Sequence, residues 1–395
     1  MEVALQSASQ VRLALLPPLA LYVHIPWCVR KCPYCDFNSH ERKDSLPERE
    51  YIEKLTQDLE SLLPSVWGRR LTSVFIGGGT PSLFSPESID RLLAAVRARL
   101  PLEPHAEVTL EANPGTVEAG RFAGYRQAGV NRLSIGVQSF DDRMLAALGR
   151  IHSAAEARRA IDGALRAFDN VNLDVMYGLP GQTAAMLETD IEQALACATP
   201  HLSFYQLTIE PNTAFFSKPP PLPEHDLCAD MQLLVERTLA EAGFEHYETS
   251  AFARPGARCR HNLNYWEFGD YLGIGAGAHG KVSFPDRITR HERIKQPREY
   301  LSQERTLASE RTVSPSELPF EFMLNALRLV DGFDLALFPE RTGLPAAVLN
   351  KSLEKAEQTG LITRDLKRVR PTERGRHFLN DLLGLFLAGG SKDRG

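Results

Sequence analysis

The chain has 395 residues, 43% hydrophobic and 24% charged, with a formal net charge of −5. That length exceeds one ordinary domain, so a large domain plus a smaller one is expected, in a chain of ordinary globular composition. The charge gives no global argument for nucleic acid, and no apolar run is long enough to span a bilayer.

In chain order, residues 1–17 read as a flexible tail. The longest apolar run, Leu13–Val23, is broken by Pro17-Pro18 and lacks a basic leader and a cleavage site, so it does not read as a signal peptide. Short apolar runs then predict strands at 19–24, 74–76, 107–111, 133–137, 172–176 and 203–207. Helical periods fall between them at 49–63, 86–100, 154–168 and 184–198. Strands alternating with helices imply βαβ units and a parallel sheet. In barrels of this kind the chemistry sits at the C-terminal strand ends. A cysteine loop follows strand one, Gly77–Thr80 follows strand two, Glu111 ends strand three, Gln138 follows strand four, and Asp174 lies in strand five. Composition shifts after about residue 285. From there the pattern is helix (318–329), helix (344–359), two short strands (361–363 and 370–372) and a last helix (373–387). It reads as a winged-helix-like α+β domain over 286–390, following an 18–285 domain. Six basic residues between Arg364 and Arg376 are a weak DNA-binding signal; a protein-contact or lid role fits the negative net charge better, and no nucleic acid is expected.

Three of the six cysteines, Cys28, Cys32 and Cys35, stand as C-x3-C-x2-C in YVHIPWCVRKCPYCDFNSH. Three thiolates from one loop can hold three irons of a [4Fe–4S] cluster and leave the fourth open. An open position marks chemistry rather than structure. A zinc knuckle completed by His24 or His40 is the alternative. Cys197, Cys228 and Cys259 are scattered, which is no disulfide framework, and the clustered trio points to metal in a reducing compartment. Gly77-Gly78-Gly79-Thr80-Pro81 allows close backbone approach to a ligand. Glu111 could accept hydrogen bonds from a ribose diol or be a solvent-facing charge. Asp174, among Leu173, Val175 and Met176, needs a partner, for which Arg150 is a candidate.

The cysteine loop resembles the signature of the radical SAM enzymes, with Tyr34 at the aromatic position that packs near adenine. The alternating strands match that family's partial (β/α)6 TIM-type barrel, and the GGGTP string resembles relatives of coproporphyrinogen III dehydrogenase. The order of motifs over residues 19–285 is similar to the oxygen-independent coproporphyrinogen III oxidase family. That resemblance implies that Tyr22, Gly78 and Glu111 contact a cluster-bound S-adenosylmethionine. It also implies that Gly79, Thr80, Gln138, Arg150 and Asp174 line a neighbouring pocket for a second one, with His279 bordering the first. Two features separate subfamilies. The dehydrogenases carry a further cysteine where this chain has Phe37, and His261-Asn262-Leu263-Asn264-Tyr265-Trp266 resembles the HNxxYW motif of HemW-type haem chaperones. A neutral imidazole suits haem iron, and Tyr265 and Trp266 could stack on a porphyrin. The other reading of His261 is a residue that holds a turn. The expectation is therefore a haem chaperone with a [4Fe–4S] cluster, S-adenosylmethionine and haem. It would pass haem to respiratory proteins, with a flavodoxin or ferredoxin as electron donor, in the cytoplasm or at the inner membrane surface; a homodimer is compatible. The alternative is oxidative decarboxylation of coproporphyrinogen III.

Overall fold

The structure, a computed structural model, describes residues 10–116 and 119–387. Strand β1 (Leu19–Ile25) is buried on both faces, as a central parallel strand must be, and this explains its unbroken apolar run. It pairs in parallel with β2 (Leu71–Gly78), and the series continues in parallel through β3 (Leu102–Ala112), β4 (Arg132–Gln138), β5 (Val171–Tyr177) and β6 (His201–Gln206). The crossovers are α1 (Glu48–Leu62), α2 (Pro86–Arg99), α3 (Ala119–Ala128), α4 (Ala154–Leu165) and α5 (Ala184–Ala196). Their starts are written in the sequence. Ser85 and Thr183 cap α2 and α5, and Ser153 forms a capping box with Glu156 on α4.

Beyond β6, α6 (His225–Glu241) leads to the antiparallel pair β7 (Glu245–Glu248) and β8 (Ala251–Ala253), and β8 pairs with β6. A short helix, α7 (Arg260–Trp266), then delivers the chain to β9 (Asp270–Ile274), which lies parallel to β1 on its other side. The sheet does not end at residue 285 as expected. It runs on through antiparallel β10 (His279–Phe284), β11 (Arg287–Arg293) and β12 (Leu307–Thr312), giving twelve strands in all. A composition shift misplaces this border because β10 and β11 bury polar residues, Lys281, Ser283, Thr289, His291 and Arg293, in place of an apolar run, and β12 is exposed.

The apolar core lies between the strands and the helices. The lumen is polar: Arg132, Ser134, Gly136 and Gln138 of β4, Asn172 and Asp174 of β5, and His201, Ser203 and Tyr205 of β6 line one cavity. Helix α7 closes the end of the lumen opposite the cysteine loop. Glu107 accepts from the backbone N–H of Arg260 (3.2 Å) and His261 (3.1 Å), which fixes the helix start on β3.

The C-terminal module is a small α+β unit. It contains helices Leu318–Ala326 and Asn350–Gln358, and a sheet of 333–334, 368–371 and 362–364. The expected last helix is broken at Phe378 into Glu373–His377 and Leu379–Gly384. Phe322 is the centre of its core, edge-on to Phe333, Phe338 and Phe268. Residues 10–17, expected as tail, are partly docked on this core. Val11 and Leu13 are buried in it, held by Arg12 N–H to Gly343 O (3.1 Å) and Leu13 N–H to Pro285 O (2.9 Å). Residues 1–9 and 388–390 lie outside the described residues. Arg290 joins the module to the barrel by a forked ion pair with Glu321 (2.8 Å).

Candidate functional site

The cysteine loop leaves β1 at Pro26 and returns at His40. Trp27–Cys28 pairs with His40–Glu41, and Arg42 N–H donates to Cys28 O (2.9 Å), so the loop is closed at its neck. Trp27 anchors the neck, edge-on to Tyr51 at 4.7 Å. Within the loop all three thiols are free and line a cavity of about 470 Å³. Thr80 Oγ1 donates to Cys28 Sγ (3.5 Å), and Arg150 Nη1 donates to Cys32 Sγ (3.7 Å). Donors aimed at sulfur stabilise thiolates, and burial otherwise pushes the Cys28 thiol up. Among the described residues no three His, Cys, Asp or Glu side chains converge on a single ion position. His24 is not free to complete a zinc site: its Nε2 meets Asn38 O (3.0 Å) and its Nδ1 meets Tyr22 Oη (2.9 Å), and burial lowers its pKa to about 4. The donor set fits a three-cysteine cluster.

The glycines after β2 are required by protein as much as by any ligand. Gly78 has φ +117°, and a Cβ there would lie 2.6 Å from the His24 ring; at Gly79 it would lie 2.6 Å from Trp27 O. Gly78 N–H donates to Glu111 Oε2 (3.0 Å). Glu111 is therefore not a solvent-facing charge. Burial, then the nearby Asp174, raise its pKa to about 8. A buried carboxyl with capacity for further hydrogen bonds suits a ribose diol. Tyr22 lies beside it, its hydroxyl shared with His24.

Gln138, Arg150 and Asp174 all line the cysteine cavity, as do Tyr34, Gly79 and Thr80. Gln138 holds φ +68°, an unusual conformation for a residue with a side chain and one typical of functional strand ends. Arg150 is not the partner of Asp174. It donates to Gly136 O (2.8 Å), and its buried Nε has no partner among the described residues, which fits an acceptor group of a bound ligand. Asp174 accepts from Ser134 Oγ (2.8 Å) and Asn172 Nδ2 (2.8 Å), and the cation that offsets its charge is Arg132. Sequence reasoning passed over Arg132. Its signal was the strand period in RLSIGVQ, which puts Arg132 on the same face as Gln138.

The HNxxYW segment forms α7. His261 is 1% exposed, and both ring nitrogens are engaged, Nδ1 with Ser73 Oγ (2.9 Å) and Nε2 with Tyr265 Oη (2.9 Å). Burial lowers its pKa to about 3. The structure thus holds His261 as a neutral internal brace, with no lone pair available to a metal in this arrangement. Tyr265 and Trp266 border a second cavity of about 730 Å³, which shares Gly78 and Glu111 with the first. Trp266 is covered on one face by Arg328, 4.3 Å from the ring centre.

The sequence matches the radical SAM superfamily over residues 22–194 and the HemN C-terminal domain over residues 313–378. It is 52% identical over 378 residues to the heme chaperone HemW of Escherichia coli K12, covering 94% of this chain and 99% of that protein. It is 50% identical to the heme chaperone HemW of Haemophilus influenzae, covering 94% and 98%. Among solved structures, the coproporphyrinogen III oxidase HemN of Escherichia coli superposes with a TM-score of 0.79 at 22% identity, covering 98% of this chain and 93% of that one, a likeness of fold.

Proposed function

This chain belongs to the radical SAM superfamily and, within it, to the heme chaperone HemW family, and on that premise we propose that it carries haem to respiratory haemoproteins. The observation that carries the reading is the near-full-length likeness to HemW at about half identity. Cys28, Cys32 and Cys35 hold a [4Fe–4S] cluster, and S-adenosylmethionine lies against Gly78, Glu111 and Tyr22. The cluster, when bound, supplies one electron and an open iron that chelates S-adenosylmethionine. Tyr34 packs on that ligand, Arg150 offers its unpaired Nε–H, and Gly79, Thr80, Gln138 and Asp174 line the adjoining lumen. Phe37, 60% exposed where the dehydrogenase subfamily places a cysteine, adds no thiolate.

Among the described residues no helix is long and apolar enough to cross a membrane. Haem transfer in the cytoplasm to acceptors at the inner membrane is consistent with that. A flavodoxin or ferredoxin donor would serve the cluster, and a homodimer is compatible. The test is anaerobic cluster reconstitution, followed by haem titration and by incubation with coproporphyrinogen III, S-adenosylmethionine and reductant on the same sample. Haem binding without protoporphyrinogen formation is expected. Conversion, or absence of a haem-dependent Soret band, overturns the reading.

A further inference from the structure

A third cavity, of about 280 Å³, lies away from the cysteine loop, between α1 and the antiparallel strands β10–β12. Among the described residues none lines both this cavity and either of the other two. Its inner wall holds an ion pair of which one member is fully satisfied and the other is not. Asp58 of α1 accepts from Tyr300 Oη (2.7 Å), Thr306 Oγ1 (2.8 Å) and Gly275 N–H (3.1 Å). Arg293 of β11, 2% exposed, meets the same carboxylate through Nε, 2.9 Å from Oδ1, and its hydrogen bond to Gly273 O (3.3 Å) leaves from that same nitrogen. Its Nη2 is buried with no partner among the described residues. A guanidinium carries five N–H donors, and buried donors are almost always paired. His291, two residues back on the same face of β11, lines the cavity as well. It is 6% exposed, its Nε2 is also buried without a partner, and burial lowers its pKa to about 4, so the ring is neutral and has one N–H to donate.

We propose that this cavity binds a small amino acid, with its carboxylate on Arg293 and its ammonium towards Glu304 and Glu310. A carboxylate is the acceptor that a guanidinium with an unspent Nη edge matches best. The outer lining selects the rest of the ligand. Glu304 and Glu310 are exposed there, and among the described residues neither is held in an ion pair; Arg305 is the exposed cation beside them. Two carboxylates against one cation repel a dianion such as phosphate and attract an ammonium. The volume falls just below the roughly 300–1,000 Å³ of pockets for larger ligands, which suits a molecule of few atoms. This site is independent of the haem and cofactor assignments above, since it is built from other residues.

The test is anaerobic titration of the cluster-loaded full chain with glycine, acetate or inorganic phosphate, read by ligand-observed NMR. S-adenosylmethionine is kept saturating, so that glycine cannot chelate the open iron. Glycine is expected to bind, acetate several-fold more weakly, and phosphate more weakly still. Arg293→Met should weaken glycine at least tenfold, and Glu304→Gln with Glu310→Gln several-fold. Because Arg293→Met also strips Asp58 of its cation, a second variant works from the surface. Gln57 is exposed, lines the cavity and makes no side-chain hydrogen bond among the described residues, so Gln57→Trp should block the cavity with melting unchanged and weaken glycine at least tenfold. Glycine binding that survives Gln57→Trp, or phosphate binding tighter than glycine, overturns the site. Absence of any glycine binding overturns it too, and leaves water as the partner of Arg293.

Discussion

His261→Ala should destabilise the protein strongly while leaving the haem spectrum intact. The substitution removes the partner of the buried Ser73 Oγ and of the part-buried Tyr265 Oη, each held at 2.9 Å. An orphaned buried hydroxyl costs about 1–3 kcal/mol. The ring also stacks near Phe75 at 5.0 Å and meets Tyr265 at 4.8 Å, contacts worth about 1 kcal/mol together. The orphaned Ser73 hydroxyl and the ring contacts come to about 2–4 kcal/mol, concentrated where α7 closes the lumen. Urea unfolding followed by far-UV circular dichroism measures the loss, and a parallel haem titration at low temperature reads the ligand. His261→Gln, which can keep one of the two bonds, should recover part of the stability. A stability change below about 1 kcal/mol together with loss of the Soret band would refute the argument and make His261 a ligand.

Three further outcomes follow from the site. Glu111→Gln should weaken S-adenosylmethionine binding at least tenfold by equilibrium dialysis, yet stabilise the ligand-free protein near pH 8. The carboxyl's pKa is raised from 4.5 to about 8 by burial, so wild-type stability is full below pH 4.5 and is lost as pH rises towards 8, and the variant should flatten that slope; an unchanged slope contradicts the assigned burial. Gly78→Ala places a Cβ 2.6 Å from His24 at a φ of +117°, and should cost at least about 2 kcal/mol in thermal unfolding and reduce cluster retention; wild-type behaviour would show that the turn can relax. Asp174→Ala should cost about 3 kcal/mol, since Ser134 and Asn172 lose their acceptor and Arg132 loses a compensating charge, and Arg132→Met in the same chain should recover part of it. Recovery by Arg150→Met instead would restore the pairing that the geometry rejects.

The βα units were legible because the strands carry apolar runs and three of the crossover helices carry their own caps: Ser85, Ser153 and Thr183 mark starts that residue types alone announce. The cysteine loop was legible because ligand spacing is local. What failed was long-range. Asp174 and Arg150 are both polar residues in need of partners, but strand register brings Ser134 of the neighbouring strand to Asp174, and Asn172, two residues earlier on the same strand, donates as well. His261 could be read from its motif as a ligand or a brace, and the partner that holds its Nδ1, Ser73, lies 188 positions away, out of reach of any motif. The antiparallel strands within 287–312 were taken into the second domain because buried polar residues such as Thr289, His291 and Arg293, and an exposed last strand, replace the apolar runs that announced the barrel.

Asn38 gives the cysteine loop a second point of attachment, and through it a mechanical tie to the far side of the sheet. Its amide donates to Ala276 O (2.9 Å) and to Lys295 O (2.8 Å), which lie just before β10 and just after β11. The loop whose shape three irons would set is thereby latched to the two strands that carry His279 and Glu292. The loop and this edge of the sheet are then one mechanical unit: a displacement of the loop pulls on two backbone carbonyls flanking β10 and β11, so whatever orders the loop also orders that edge.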